Sequence, residues 1–441
     1  MKQTIKCTIN AGRLWRHIEE LGRIGRNADG SITRFPFTEE DLAAQTLISR
    51  YMEEAGLSVE TDAAGNLIGR WTDPGCKNNP PVLTGSHYDT VLDGGRFDGT
   101  LGVLGAIEAV QTMKEAGIRP AYPICVIGFK DEEGNRFGYG MIGSKSICGI
   151  VREEGLDSED QDGVSLRQAM TAYGLQPEQV QTCRIAPVKA MLELHIEQGK
   201  VLENRRKQIG IVDGIAGLVR YRIMIHGESG HAGATPMTER KDPVVAMSKW
   251  ILKVTQLAKE KPSCVATVGS IQTFPGTCNI IADRVEFTLD LRSIHEQDIC
   301  EIMQTMEAEN EWLEQTEGVC VSQHLEQKLS PVLCDMTLKE QLQKICETGE
   351  YSYMYLMSGA GHDSMNFKDV CKKNWKTKTI NWDDKMGTSD GEQCGGEHIR
   401  CENNFGSAIR YINSEHFCDA QLENNFGSMS VYFDNAVIAG E

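Results

Sequence analysis

The sequence predicts an α/β protein, a sandwich of helices around a largely parallel sheet, interrupted by a smaller α+β unit. Three observations predict it. Apolar strand patterns at 81–87 and 124–129 are separated by a helix pattern from Gly99 to Gly117, which is the alternation of a strand–helix–strand crossover. Ile124-Cys-Val-Ile-Gly-Phe129 is continuously apolar, as a strand buried on both faces must be. Near residue 210 the texture changes, and Val219, Tyr221, Ile223 and Ile225 alternate with Arg220, Arg222, Met224 and His226, the period of a half-solvated strand.

Taken in order, residues 9–23 read as a helix, with Ile9, Leu14, Ile18 and Leu21 at near-helical spacing. A second helix starts at Thr38 as N-cap, with Asp41 three residues on and a hydrophobic staple expected between Phe37 and Leu42. Gly56 closes it. Leu57–Thr61 and Asn66–Arg70 read as strands, followed by the strand at 81–87 and a helix from Gly99 that is apolar on most sides, as a buried one would be. Ala190–Ile196 is a further strand of the same sheet. Asp242-Pro243 supplies the cap and first residue of a later helix. Strands at 264–273 and 284–292 precede a helix from 296 to 315. In Arg284–Arg292 the alternation puts Val285, Phe287, Leu289 and Leu291 inside. This order of elements matches a small ferredoxin-like unit. The expected division is therefore 1–210 for the first part of one domain, 211–325 for an insert, 326–370 for the return, and 371–441 for an atypical tail.

Length and composition agree. A chain of 441 residues exceeds what one ordinary core holds. Hydrophobic content of 40% and charged content of 24% belong to a soluble globular protein, and the net charge of −18 argues against nucleic-acid or anionic-membrane partners. No apolar run approaches the roughly 18 residues a membrane helix needs. Met1-Lys-Gln-Thr-Ile-Lys-Cys7 lacks a signal-peptide core. The 15 cysteines are scattered without a C-x-x-C pair, so a reduced, cytoplasmic protein is expected.

The chemistry concentrates after the strands. His87 and Asp89 lie two apart, on one side if the backbone is extended. Gly94, Gly95 and Gly99 are placed to let the chain fold back so that Asp98 meets them. An imidazole among carboxylates is a grouping for a first-row metal, zinc or manganese. The strand ending at Phe129 runs into Lys130-Asp-Glu132-Glu133. If extended, Glu132 and Glu133 point to opposite sides, so one is free to bind metal while the other faces a reacting water. Ala190–Ile196 brings His195 to a strand end as well. Carboxyl ends of strands are where open α/β sheets bind ligands.

These residues carry a resemblance. Gly85-Ser-His87-Tyr-Asp89-Thr, Gly94-Gly-Arg-Phe-Asp98-Gly, Asp131-Glu-Glu-Gly-Asn-Arg-Phe137 and Glu193-Leu-His195-Ile-Glu-Gln-Gly199 stand in order, followed by His231-Ala-Gly-Ala-Thr-Pro-Met237, Asn279-Ile-Ile, Asp290-Leu-Arg292 and Ser358-Gly-Ala-Gly-His-Asp363. Across residues 8–367 the chain resembles the metal-dependent amidase, hydantoinase and carbamoylase family, within the aminoacylase and carboxypeptidase clan.

The resemblance implies a zinc-peptidase-like catalytic α/β sandwich with an inserted ferredoxin-like lid and dimerisation domain. It implies two divalent ions held by His87, Glu133 and His195 with Asp98 as bridge, Asp89 orienting the His87 ring, and Glu132 as general base. Arg292 would clamp a substrate carboxylate, assisted by Asn279. His231 would polarise the carbonyl across a dimer interface, and Gln198 and His362 would complete the pocket. The expected reaction is hydrolysis of a carbamoyl (ureido) amide on a small carboxylate, foremost an N-carbamoyl-L-amino acid. Allantoate, a ureidopropionase-like reaction and an inactive dimeric relative are the alternatives. An aminopeptidase or aminoacylase of the clan fits the set Gln198, Asn279 and Arg292 less well. The tail departs from the family. Where a Gly-Ile-Ser-His-x-Pro-Glu segment is expected to give the metals their last histidine, the chain reads Asp383-Asp-Lys-Met386-Gly-Thr-Ser, leaving His398 and His416 as the only later histidines. Glu402-Asn-Asn-Phe-Gly-Ser407 recurs as Glu423-Asn-Asn-Phe-Gly-Ser428.

Overall fold

Three apolar strands, Val82–His87, Ile124–Phe129 and Ala190–Ile196, lie side by side and parallel, with the first in the centre. Their register sets everything that follows. His87 is opposite Phe129, and Thr84 opposite Leu192, so the three strands run out at one edge of the sheet. The computed structural model describes residues 6–371, 407–412 and 430–432. The expectations for 383–389, His398 and His416, and nearly all of the tail repeat, lie outside the described residues.

The chain divides into two compact units, one of Met1–Ile211, Cys334–Met354 and His362–Glu441, the other of Val212–Leu333 with Tyr355–Gly361. In the first, the parallel strands are flanked by antiparallel Leu67–Trp71 and Ser58–Thr61 on one side. On the other side Ser407–Ile412 pairs parallel with Ala190–Ile196. Helices cover both faces, as the continuous apolarity of Ile124–Phe129 requires. Val126 packs with Leu104, Ile107, Ile18 and Ile48 on one face. Cys125, Ile127 and Phe129 pack with Ile147, Met191 and Phe367 on the other. This is an α/β fold.

Local signals explain the helices. Thr38 caps Glu39–Glu54 through its side chain, which accepts from the Asp41 N–H, and Gly56 follows the helix at φ +73° with the Leu57 N–H on the Met52 carbonyl. The staple does not form. Leu42 is exposed, and Phe37 is turned away at φ +61° to pack against Phe137 and Tyr173. A left-handed residue just before the cap redirects its side chain, which sequence spacing cannot register.

The second unit is a five-stranded antiparallel sheet built on Arg284–Ser293, which pairs with Gly217–His226 on one side and with Cys264–Thr267 and Ile271–Phe274 on the other. Cys320–Leu329 extends the sheet from Gly217–His226. The strand expected at 264–273 is thus two short ones. Every second residue of Arg284–Ser293 is buried. Those residues pack against Pro243–Lys259 and Glu296–Glu317, with Trp250 edge-on to Phe287 at 5.2 Å. Asp242 caps the first of these helices and Pro243 is its first residue. Among the described residues no helix is long and apolar enough to cross a membrane.

Candidate active site

At the strand edge of the first unit His87 and His195 face each other, both buried. The Nδ1 of His87 lies 3.0 Å from the Asp89 carbonyl, and that of His195 lies 2.9 Å from the Ile196 carbonyl. A carbonyl only accepts, so each ring carries its proton on Nδ1 and turns the Nε2 lone pair inward. The two Nε2 atoms are 3.5 Å apart, and Asp98 Oδ1 is 3.2 Å from that of His195 and 3.9 Å from that of His87. Two lone pairs and a carboxylate pointed at one spot repel unless positive charge sits among them. Burial opposes the charge on Asp98, yet a proton taken up on His195 Nε2 would be donated to it, and that hydrogen bond together with the nearby His87 holds its carboxyl far below the usual range. Burial opposes charge on His195 too, and Asp98 nevertheless raises it. A spot that draws a proton this strongly is suited to a cation.

Two donor groups result: His87, Asp98 and His195, and His87, Glu132 and Glu133, each with its ligand atoms within 4.8 Å of one another. His87 belongs to both. The mixture of imidazole and carboxylate fits zinc or manganese.

The extended geometry expected for Glu132 and Glu133 is not what the chain adopts. Asp131, at φ +50°, ends the strand in a left-handed turn, so both glutamates come within reach of His87 rather than diverging. Glu132 Oε2 is 4.0 Å from His87 Nε2. Burial, then Asp363, Glu133, Asp89 and Glu193, push the Glu132 carboxyl well above the ordinary carboxylate range. Burial also raises Glu133, against the pull of His87. Asp89 is buried and its carboxyl raised for the same reason. Its two oxygens accept the backbone N–H groups of Glu132 and Glu133, each at 3.2 Å. It is the Asp89 backbone carbonyl that meets His87, while the carboxylate, 3.7 Å from Nδ1, anchors the glutamate turn.

One glycine is indispensable here. A Cβ on Gly99, at φ +62°, would lie 2.5 Å from His87 ring atoms, so the imidazole rests on its bare backbone. Gly94 and Gly95, expected to help the fold-back, have no left-handed φ, and a Cβ on Gly95 would meet nothing within 4 Å. Gly94 does lie close to Thr90, where a Cβ would be 3.1 Å away, but of the three only Gly99 makes the close approach to His87.

Gln198, in a left-handed conformation, donates from its side-chain amide nitrogen to the two Asp98 oxygens, at 3.2 and 3.0 Å. His362 is buried with its ring 4.5 Å from that of His195. Burial and then His195 and His87 hold it well below its ordinary pKa, so it stays neutral. Glu193 was not singled out by the sequence reading for a role. It is buried, accepting from Ser86 Oγ at 2.7 Å and the Ser364 N–H at 2.9 Å, and so ties two strand ends to the segment after His362. Its two-residue spacing from His195 on one strand was the available signal.

The remaining candidates belong to the second unit. His231 and Asn279 are exposed and brought together by a two-residue ladder in which Ile280 pairs with His231. The Ala232 N–H donates to the Asn279 carbonyl at 3.0 Å. Arg240 clamps the same loop by donating to the Thr235 and Ala232 carbonyls. Arg292 makes a two-point contact with Asp290, at 2.7 and 3.0 Å, and donates to the Gly359 carbonyl at 2.6 Å.

A sequence profile described as peptidase family M20/M25/M40 matches residues 83–402. An N-carbamoyl-L-amino acid amidohydrolase of Geobacillus stearothermophilus is 42% identical over 367 residues, covering 82% of this chain and 89% of that one. An allantoate amidohydrolase of Bacillus subtilis is 34% identical over 356 residues, covering 79% and 85%. The crystal structure of a hydantoinase/carbamoylase family amidase from Burkholderia ambifaria superimposes with a TM-score of 0.81 at 29% identity, covering 95% of each chain.

Proposed function

The chain belongs to peptidase family M20/M25/M40, and from that premise we propose that it is a metal-dependent amidohydrolase cleaving the carbamoyl C–N bond of an N-carbamoyl-L-amino acid. Water adds to the carbamoyl carbon, the amino acid leaves as its amine, and the carbamate released breaks down to ammonia and carbon dioxide. The observation that carries the reading is the pair of inward Nε2 atoms 3.5 Å apart beside Asp98, with a buried, proton-seeking Glu132 at 4.0 Å. The substrate class rests on the Geobacillus relative at 42% identity.

His87, Asp98, Glu133 and His195 would hold two divalent ions, zinc or manganese. When bound, such ions polarise a carbonyl and acidify water. Glu132 takes the proton of the attacking water and returns it to the departing nitrogen. Asp89 fixes where Glu132 sits, because its carboxylate accepts the Glu132 and Glu133 N–H groups. Gln198 and the neutral His362 hold the edges of the cluster through Asp98 and His195. Arg292 supplies a planar fork for the substrate carboxylate, with Asn279 beside it in role, and His231 polarises the carbonyl. The same reading makes the protein a cytoplasmic homodimer, which light scattering of the purified chain tests.

Ammonia release measured with zinc or manganese added, over N-carbamoyl-L-amino acids, allantoate and N-carbamoyl-β-alanine, decides the substrate. Turnover highest on the first group is expected. Silence on all three overturns the reading. The Bacillus subtilis relative at 34% identity favours allantoate as the second reading, and preference for that substrate would select it.

A further inference from the structure

Directly before the glutamate turn stands a lysine that the chemistry above leaves unused. Lys130 follows five buried residues of the Ile124–Phe129 strand and its side chain is fully buried. A buried ammonium is costly unless paired and hydrogen-bonded. Here it is both. Lys130 Nζ donates to the two Asp41 oxygens at 2.9 and 2.7 Å and to Gln45 Oε1 at 3.3 Å. It also lies 4.8 Å from the ring centres of Tyr88 and Tyr173 and 5.6 Å from that of Phe37.

The backbone of Lys130 is held as firmly as its side chain. Its N–H donates to Asn66 Oδ1 at 3.1 Å and its carbonyl accepts the Gly143 N–H at 2.9 Å. Asp41, in the first turn of the Glu39–Glu54 helix, also accepts the N–H of left-handed Phe37 at 2.7 Å. The pair thus joins a helix start to a strand end 89 residues away. The next residue, Asp131, is the left-handed one that swings Glu132 and Glu133 toward His87. Asp89 restrains this turn on the far side, through the two glutamate N–H groups. A non-glycine residue in that conformation persists only where its surroundings over-determine it. Hydrophobic replacements fill such positions without loss of stability in other proteins, so stability is a poor reason for a lysine here.

We propose that the Lys130–Asp41 pair is a positioning device for Glu132: it fixes the strand end from which the Asp131 turn aims the Glu132 carboxylate. The inference rests on the general-base role given to Glu132, and its test separates the two. The variant to make is Lys130→Met with Asp41→Asn, which removes both charges together while Asn keeps an acceptor for Phe37. Thermal midpoint, zinc content, KM and kcat are measured with an N-carbamoyl-L-amino acid. The expected result is a folded protein with its zinc and KM retained and kcat lower by on the order of 10- to 100-fold, the scale of a 1 Å misplacement. A kcat within about twofold of the parent, in a folded protein, overturns the proposal. If the double variant does not fold, Lys130→Arg decides, since it keeps the charge and moves the anchor point. Reduced kcat at an unchanged thermal midpoint supports positioning, and unchanged kcat refutes it. Glu132→Gln serves as the control. If it turns over normally, the general-base reading fails. If it is impaired and the Lys130/Asp41 change lowers its residual rate by the same factor as in the parent, the pair acts elsewhere and the positioning proposal alone falls.

Discussion

The two units treat their functional side chains in opposite ways. In the first, His87, His195, Asp89 and Glu132 are buried, and backbone groups hold the first three: carbonyls fix the two rings, and N–H groups fix Asp89 against the glutamate turn. In the second, His231 and Asn279 are exposed, and Arg292 spends its fork on Asp290 and Gly359 within its own unit. The difference matches what the proposed function asks of each set. Groups that hold cations and move protons need one geometry and low dielectric. Groups that greet a substrate must be free to exchange partners. On the proposed function, the contrast leads us to expect that substitutions in the first unit act on rate and metal, and those in the second on substrate affinity.

The largest effect is expected at Glu132. Glu132→Gln keeps shape and removes the proton acceptor, so kcat should fall by roughly 10²–10⁴ while zinc content measured by atomic absorption stays as in the parent. A variant that loses zinc and rate together would make Glu132 a ligand instead, and the division of labour with Glu133 would need redrawing.

Gly99→Ala probes the same unit without touching a polar group. Its methyl must displace the His87 ring, 2.5 Å away. Zinc affinity in a chelator competition should fall about 10- to 100-fold, the range seen when a ligand's support is disturbed. Unchanged affinity would mean the ring has slack, against the picture of a fixed first-unit site.

How far sequence alone reaches follows the same line. The alternation in Arg284–Ser293 and the Thr38 and Asp242 caps were legible because they are local rules, and the chain obeys them. The meeting of His87, Asp98, Glu132–Glu133 and His195 at one edge follows from parallel strands of matched register. Where a left-handed residue intervenes, spacing misleads. Asp131 turned both glutamates the same way, and Phe37 left its staple partner exposed. The Lys130–Asp41 pair was invisible because 89 residues separate its halves, and no periodicity reports a contact that the tertiary fold alone creates.

Arg292→Lys moves to the second unit. Lysine keeps the charge but cannot reproduce a planar two-point contact. KM for an N-carbamoyl-L-amino acid should rise about tenfold with kcat nearly unchanged, the signature of binding lost equally from ground and transition states. An unchanged KM would leave Arg292 as a tether between Asp290 and Gly359, and the proposed contrast between the units would lose its substrate side.

The smallest effect concerns Asp290 itself. Burial opposes its charge, but hydrogen bonds from Arg292 and from Arg220, the latter at 2.8 Å, outweigh it and lower the carboxyl. A carboxyl lowered on folding stabilises the protein fully above its unfolded pKa of about 3.9 and loses that contribution as pH falls through the lower folded value. Asp290→Asn removes it. The difference in thermal midpoint between parent and variant should therefore be constant from pH 7 to 5 and shrink below about pH 4. Solvent reaches both partners, and screening limits the contribution to no more than about 1 kcal/mol. A difference that persists undiminished to pH 3 would mean that Arg292 is not held by a charged Asp290, and that the second unit keeps its arginine in place by packing instead.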